Sequence, residues 1–300
     1  MDNNEDGLFK LDQKFKSAFK GKIKLFLGDI RDKDRVFKAF KNVDTVFHCA
    51  ALKHVFLSEY NPFEATKTNL IGVNNVIDAS LNENVKSVIF TSSDKAVNPS
   101  STMGATKLLG ERLFTAANHY IGNNRTRFAS VRFGNVLNTN GSILQIFKQQ
   151  IADNEPLTIT SKDMTRFFIT MEQAIELCIQ ASNELIGGEI FILNMGSCSI
   201  MSIAKAISEK SKLNCRIIGP KSGEKLYEEL VTETEAERTV SFGKLFTIIP
   251  DTLDMMPDDI IQNYNIKYKN CVRLDQSVRS DIDMLSDTDV SKLLKANNLI

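Results

Sequence analysis

The sequence predicts an α/β protein built on a doubly wound parallel sheet, with a smaller region at its C-terminal end. Three observations carry this. Short apolar runs recur without the alternation of a half-exposed strand, as expected of strands covered on both faces. Segments of helical period separate them, so successive strands lie parallel through crossover connections. Past residue 136 the regularity loosens. That divides the chain into a first region, 1–136, and a second, 137–300, interleaved with the end of the sheet.

Residues 22–27 (KIKLFL) read as a strand ending at Gly28-Asp29. A helical segment follows over 32–40, with Asp32 as its N-cap. Residues 45–49 read as a buried strand, 62–81 as a long helix, 87–92 (SVIFTS) as a strand, 101–120 as a helix and 127–132 as a strand. In the second region, 156–160 and 189–194 read as strands, and 171–183 and 200–210 as helices. From 232 to 279 the periodicity is weak and Pro250 and Pro257 interrupt it. That stretch reads as loops and short elements of a capping region. A short amphipathic helix over 288–295 ends the pattern.

Composition excludes several function classes. Lys+Arg and Asp+Glu both number 37, a balance that argues against a dominant nucleic-acid surface. The five cysteines (Cys49, Cys178, Cys198, Cys215, Cys271) are odd in number and form no CxxC pair. A reducing, cytoplasmic setting suits them better than a disulfide framework. The three histidines, His48, His54 and His119, do not cluster with thiols, so no metal site is expected. No apolar run approaches the roughly 20 residues of a membrane span, and the acidic MDNNEDG start lacks the basic and apolar parts of a secretory signal.

Chemistry concentrates in residues 91–107, TSSDKAVNPSSTMGATK. The segment starts at the carboxyl end of a strand, where open α/β sheets bind ligands. It then enters a helix that carries Met103 and Lys107 on one face. Within it, Asp94 and Lys95 place an acid and a base side by side. An isolated Asp-Lys is usually a solvated loop pair; its position at a strand mouth favours a site.

The segment resembles the active-site stretch of extended short-chain dehydrogenases/reductases. More narrowly, SSDKAVNP followed by MGATK is similar to the polysaccharide-biosynthesis dehydratases that act on UDP-N-acetylglucosamine. Further stretches match in the same order from about residue 23 to 235: DTVFHCAALKHV, KTNLIGVNN, RFGNV, MTRFFIT and GEKLYEE. The resemblance implies a Rossmann-like fold and a lyase that removes water from a UDP-N-acetylhexosamine. NAD or NADP, with NAD favoured, is regenerated in each turnover. It implies that Asp94 protonates the departing C6 hydroxyl and Lys95 removes the C5 proton. Ser93 follows the strand, and Lys107 holds the nicotinamide ribose. Met103 stands where the superfamily has tyrosine, and a thioether moves no proton.

For the cofactor, the resemblance implies Asp2 at the adenosine ribose and Asp29 and Ile30 at adenine. Ala50 and Ala51 allow close backbone approach. Lys53 and Asn69 complete the set, with Asn69 ordering the active-site lysine. For the substrate it implies Lys53, His54, Asn135, an Arg166 phosphate clamp and Glu224 at the uridine ribose. His48 reads as a core histidine. A homo-oligomer formed through the helix bearing Met103 and Lys107 also follows from the resemblance. A 4-epimerase of the same superfamily and a non-catalytic UDP-sugar-binding remnant are the competing readings.

The family's glycine-rich phosphate turn, which brings backbone N–H groups to a pyrophosphate, has no counterpart among the fifteen glycines. The opening DNNEDGLFKLDQKF resembles the segment after the family's second strand. The expectation is therefore an N-terminally incomplete sheet, with weak dinucleotide binding by the chain as written.

Overall fold

A computed structural model of the chain describes residues 1–299 except 17, 20, 123, 140, 212, 221 and 222. Seven strands form the main sheet: β1 (Thr45–His48), β2 (Ser87–Thr91), β3 (Arg127–Arg132), β4 (Ile190–Leu193), β5 (Thr239–Phe242), β6 (Leu245–Ile248) and β7 (Val272–Arg273). Their order is β1-β2-β3-β4-β6-β5-β7. The first four run parallel. The last three join antiparallel.

Period-two alternation sorts β2 and β3 between two cores. Val88, Phe90 and Phe128 pack on one face with Val36 and Phe40 of helix Lys33–Phe40 and Val73 and Val76 of helix Gly72–Asn82. Ile89, Ala129 and Val131 pack on the other with Leu177 and Ala181 of helix Met171–Glu184. Each such buried side chain contributes roughly 1.5–3 kcal/mol. Both faces being covered explains why these strands read as continuous apolar runs. A separate core in the C-terminal region joins Leu144, Phe147, Leu157, Ile159, Ile203 and Leu294.

Local signals set the helix starts. Asp32 accepts from Arg35 N and Ser101 from Gly104 N, each as N-cap. Thr170 and Gln173 close a capping box at Met171–Glu184. The expected 62–81 helix forms as Pro62–Thr66, a π-helical turn at Lys67–Ile71, and Gly72–Asn82.

Three expectations are corrected. The 45–49 strand is not buried as a whole: His48 is buried, while Thr45, Phe47 and Cys49 are exposed because this edge strand faces the cleft on one side. Residues 22–27 do not form a strand; a single parallel bridge joins Asp2 to Leu27. Asp2 N donates to Phe26 O at 3.1 Å and Gly28 N to Asp2 O at 3.0 Å. Those two bonds make one bridge and do not continue into a ladder. The 232–279 stretch, expected as loops and short elements of a capping region, contributes strands to the main sheet. Thr239–Phe242 and Leu245–Ile248 form a hairpin that extends the main sheet, with β6 paired to β4. Four-residue strands are too short for periodicity to register.

Candidate active site

The site begins where β2 ends. Ser92 N still donates to Val131 O and Asp94 N to Phe133 O, at 2.7 and 3.1 Å, which carries the strand pairing past Thr91. A 3-10 turn over Asp94–Ala96 follows, capped by Ser93. The next helix, Thr102–Ala117, starts against this turn, and a Cβ at Gly104 would collide with the Lys95 carbonyl oxygen. Glycine at 104 therefore lets the helix end press on the Asp94–Lys95 backbone and fix it.

Asp94 is fully buried. Its Oδ1 accepts from Ser93 Oγ at 2.7 Å and from Lys95 Nζ at 3.0 Å. Its Oδ2 is buried without a hydrogen-bond partner. Such an oxygen carries a desolvation cost of about 1–3 kcal/mol, which a ligand hydroxyl would relieve. Lys95 keeps its side chain 24% exposed, and its Nζ also donates to Asn135 Oδ1 at 3.2 Å. Asn135 arrives from a short strand, Asn135–Val136, paired with Thr165–Ile169. Gly134 permits that approach, since a Cβ there would lie 2.6 Å from Phe167 O.

The 223–229 loop covers this pair. Ser100 Oγ donates to Gly223 O and Lys225 Nζ to Val97 O, at 2.9 and 2.6 Å. Glu224 is half-buried on the same loop. Arg166 is buried, and its guanidinium donates to the carbonyls of Thr165, Lys225 and Leu226 at 2.6, 2.8 and 3.2 Å. In this arrangement it fastens the loop to the strand Thr165–Ile169. His54 lies against the neighbouring loop: a Cβ at Gly141 would fall 2.5 Å from its Cε1. Lys53 is exposed beside it.

Sequence reasoning passed over Glu228. Its carboxylate is buried between Lys95 Nζ, Arg166 Nε and Lys225 Nζ at 3.8, 3.7 and 3.6 Å. Burial pushes its pKa up, against the pull of Lys95 and the two other cations. The only signal available was its place in GEKLYEE, where nothing separates it from Glu229.

Lys107 and Met103 are both buried on Thr102–Ala117. Lys107 Nζ donates to Thr91 O at 2.8 Å and sits 4.6 Å from the Phe90 ring centroid. Burial lowers its pKa to about 8. Asn69, in the π-helical turn, donates to Leu52 O at 3.1 Å and to Thr106 Oγ1 at 2.9 Å, and accepts from Leu52 N at 2.8 Å. It thereby ties the Ala50–Lys53 loop to the helix that bears Lys107. His48 is buried in a stack with Phe90 and Phe114, and burial lowers its pKa to about 3.

A cavity of about 1160 Å³ lies between β1 and the Asp2–Leu27 bridge. Asp2, Asp29, Ile30, Ala50 and Ala51 all line it. Asp29 is engaged by Arg31 at 2.6–3.0 Å, and those hydrogen bonds hold its carboxyl below the usual range. Ile30 packs into the core, where a Cβ at Gly72 would strike its Cδ1 at 2.5 Å. The cleft has the acids and apolar wall that suit an adenosine; among the described residues no glycine-rich turn supplies a pyrophosphate cradle. The structure thus puts Asp2, Asp29, Ile30, Ala50 and Ala51 on the cleft wall and Ser93 and Asn135 against the Asp94–Lys95 pair. Among the described residues no group of His, Cys, Asp and Glu could hold a metal ion, and no helix is long and apolar enough to cross a membrane.

Three similar proteins share most of this chain. An uncharacterized membrane protein of Methanocaldococcus jannaschii is 47% identical over 263 residues, 85% of this chain and 78% of that one. The inverting UDP-N-acetylglucosamine 4,6-dehydratase of Campylobacter jejuni, serotype O:23/36, is 42% identical over 229 residues, 76% of this chain and 68% of that one. The crystal structure of Pen from Bacillus thuringiensis superposes with a TM-score of 0.90 at 37% identity, covering 98% of this chain and 88% of that one. The family model described as polysaccharide biosynthesis protein matches residues 1–250. With that match across most of the fold and all of the Asp94–Lys95 site, the chain belongs to the polysaccharide biosynthesis protein family.

Proposed function

We propose that the chain acts as an NAD(P)-dependent 4,6-dehydratase that eliminates water from a UDP-N-acetylhexosamine, with UDP-N-acetylglucosamine as first candidate. The observation that carries this is the Asp94–Lys95 hydrogen bond of 3.0 Å on a carboxylate whose other oxygen is buried and unpartnered. A bound nicotinamide would supply the hydride acceptor for sugar C4 and the hydride donor for C6. Asp2, Asp29 and Ile30 would hold the adenosine and Lys107 the nicotinamide ribose. The acidic Asp2 suits a ribose 2′-hydroxyl and opposes a 2′-phosphate, which favours NAD.

The pair's proton count fits elimination. At rest the shared proton sits on Lys95 and the two groups form a salt bridge. Its transfer to Asp94 would leave a neutral amine and a neutral carboxyl. Lys95 then takes the C5 proton, made acidic by the C4 ketone, while Asp94 protonates the departing C6 hydroxyl. The C5–H and C6–O bonds break, a C5–C6 double bond forms, and water leaves. The proton released from the C4 hydroxyl as hydride leaves balances the one that C5 regains as hydride adds at C6, and the pair returns to the salt bridge from which it began. Asn135 Oδ1 steadies the Lys95 ammonium in that state. A 4-epimerase moves only the hydride and hydroxyl proton of C4, so it needs no acid for a departing C6 hydroxyl.

The test is to incubate the protein with UDP-N-acetylglucosamine and NAD, then weigh the nucleotide sugar by mass spectrometry. Loss of one water is the expected result. An isomer of unchanged mass would replace the proposal with epimerisation. Bound but unaltered UDP-N-acetylglucosamine would replace it with a binding role.

A further inference from the structure

Glu228 is placed as no surface carboxylate would be. It is buried, yet none of its three cations comes within hydrogen-bond distance of its carboxylate, and Oε2 has no hydrogen-bond partner. Its backbone is fixed instead. Glu228 N donates to Ser280 Oγ, and Ser280 N donates to Glu228 O, both at 2.9 Å. Ser280 Oγ is itself paired with Thr165 Oγ1 at 2.8 Å. The carboxylate is therefore held from behind, and its charge is aimed at the cations.

The charged groups around it come from three places in the chain. Asp94 and Lys95 stand at the β2 turn, Arg166 on the strand Thr165–Ile169, and Lys225 and Glu228 on the covering loop. Three cations less two anions leave one net positive charge. Lys95 faces Asp94 Oδ1 and Asn135 Oδ1 at 3.0 and 3.2 Å, with Glu228 Oε1 at 3.8 Å. A buried anion at that distance acts strongly on an ammonium, because little water lies between to screen it.

We propose that Glu228 is a positioning residue that centres the Lys95 ammonium of the resting salt bridge between Asp94 and Asn135, and that it shares this anchor with Arg166 and Lys225 of the covering loop. A ligand that draws Arg166 or Lys225 away then leaves Glu228 more fully to Lys95, so seating of the loop and the charge state of Lys95 are linked. The catalytic meaning of that link rests on the dehydratase reading; the electrostatic link itself does not.

The test reads Lys95 directly in the full chain. Its acylation by acetic anhydride is followed against pH and assigned by peptide mass spectrometry. Glu228→Gln removes the anion, so the Lys95 midpoint falls by about one pH unit, or roughly tenfold faster labelling below the midpoint. Glu228→Asp restores most of the shift. Lys225→Met removes a competing cation and moves the midpoint the opposite way, which keeps the test usable if Glu228→Gln does not fold. Unchanged Lys95 profiles in the folded variants would overturn the proposal, as would Glu228→Asp matching Glu228→Gln, or a uniform change at every lysine. Labelling needs no turnover, so a dehydratase assay that fails leaves this result standing on its own.

Discussion

Two buried ionic clusters lie at the carboxyl end of β3, one on Arg132 and one where Asp94 N meets Phe133 O, and they are built to different standards. Arg132 is 1% exposed and uses all its donors. It meets Glu111 at 2.7 and 3.0 Å, Glu235 at 3.0 Å twice, and Leu230 O at 2.8 Å. Burial works against its charge, and the two carboxylates outweigh that and raise its pKa. The Asp94–Lys95–Glu228 cluster is largely enclosed but incomplete, with Asp94 Oδ2 and Glu228 Oε2 unpartnered. Buried polar groups in folded proteins are nearly always paired. A cluster that satisfies this ties helix Thr102–Ala117 to the chain near Glu235. A cluster that violates it keeps capacity for a ligand and for proton movement.

The largest expected effect breaks the incomplete cluster. Asp94→Asn and Lys95→Ala should each slow water elimination by about 10²–10⁴-fold while UDP binding by calorimetry stays nearly unchanged. Equal rates in variant and parent would reassign the proton steps. The complete cluster should respond in stability instead. Arg132→Met leaves Glu111 and Glu235 facing each other without a counter-ion and should cost about 3–5 kcal/mol in urea unfolding. If that variant altered the Lys95 labelling profile as well, the two clusters would not be independent.

A third prediction concerns acid. His48 has a folded pKa of about 3 against 6.5 when free, so below 6.5 the unfolded state binds the extra proton. Stability is therefore full above pH 6.5 and falls as pH drops toward 3, by an amount of order a few kcal/mol. His48→Phe should flatten that limb of the pH–stability curve, and an unaltered slope would assign acid sensitivity to other groups. The smallest effect is expected at Met103. Its side chain is buried and moves no proton, so Met103→Leu should cost less than about 1.5 kcal/mol and leave elimination intact. Loss of turnover in a folded Met103→Leu protein would give the thioether a role the proton scheme lacks.

Much of this molecule was legible in its order of residues. Strand and helix alternation, the Asp32 cap and the Asp94–Lys95 segment each depend on neighbours within a few positions, and local backbone physics fixes them. The tertiary structure alone decided the rest. Glu228 reaches Lys95 and Arg166 across more than a hundred and about sixty positions of chain, and Arg132 reaches Glu235 across about a hundred. Arg166 carries the same guanidinium wherever it lies; only the fold turned it toward the carbonyls of Thr165, Lys225 and Leu226. The hairpin Thr239–Phe242 and Leu245–Ile248 became part of the main sheet through its pairing with Ile190–Leu193. Sequence specifies which charges and apolar faces exist. Which of them share a low-dielectric interior, and so act strongly on one another, is set by packing between distant segments.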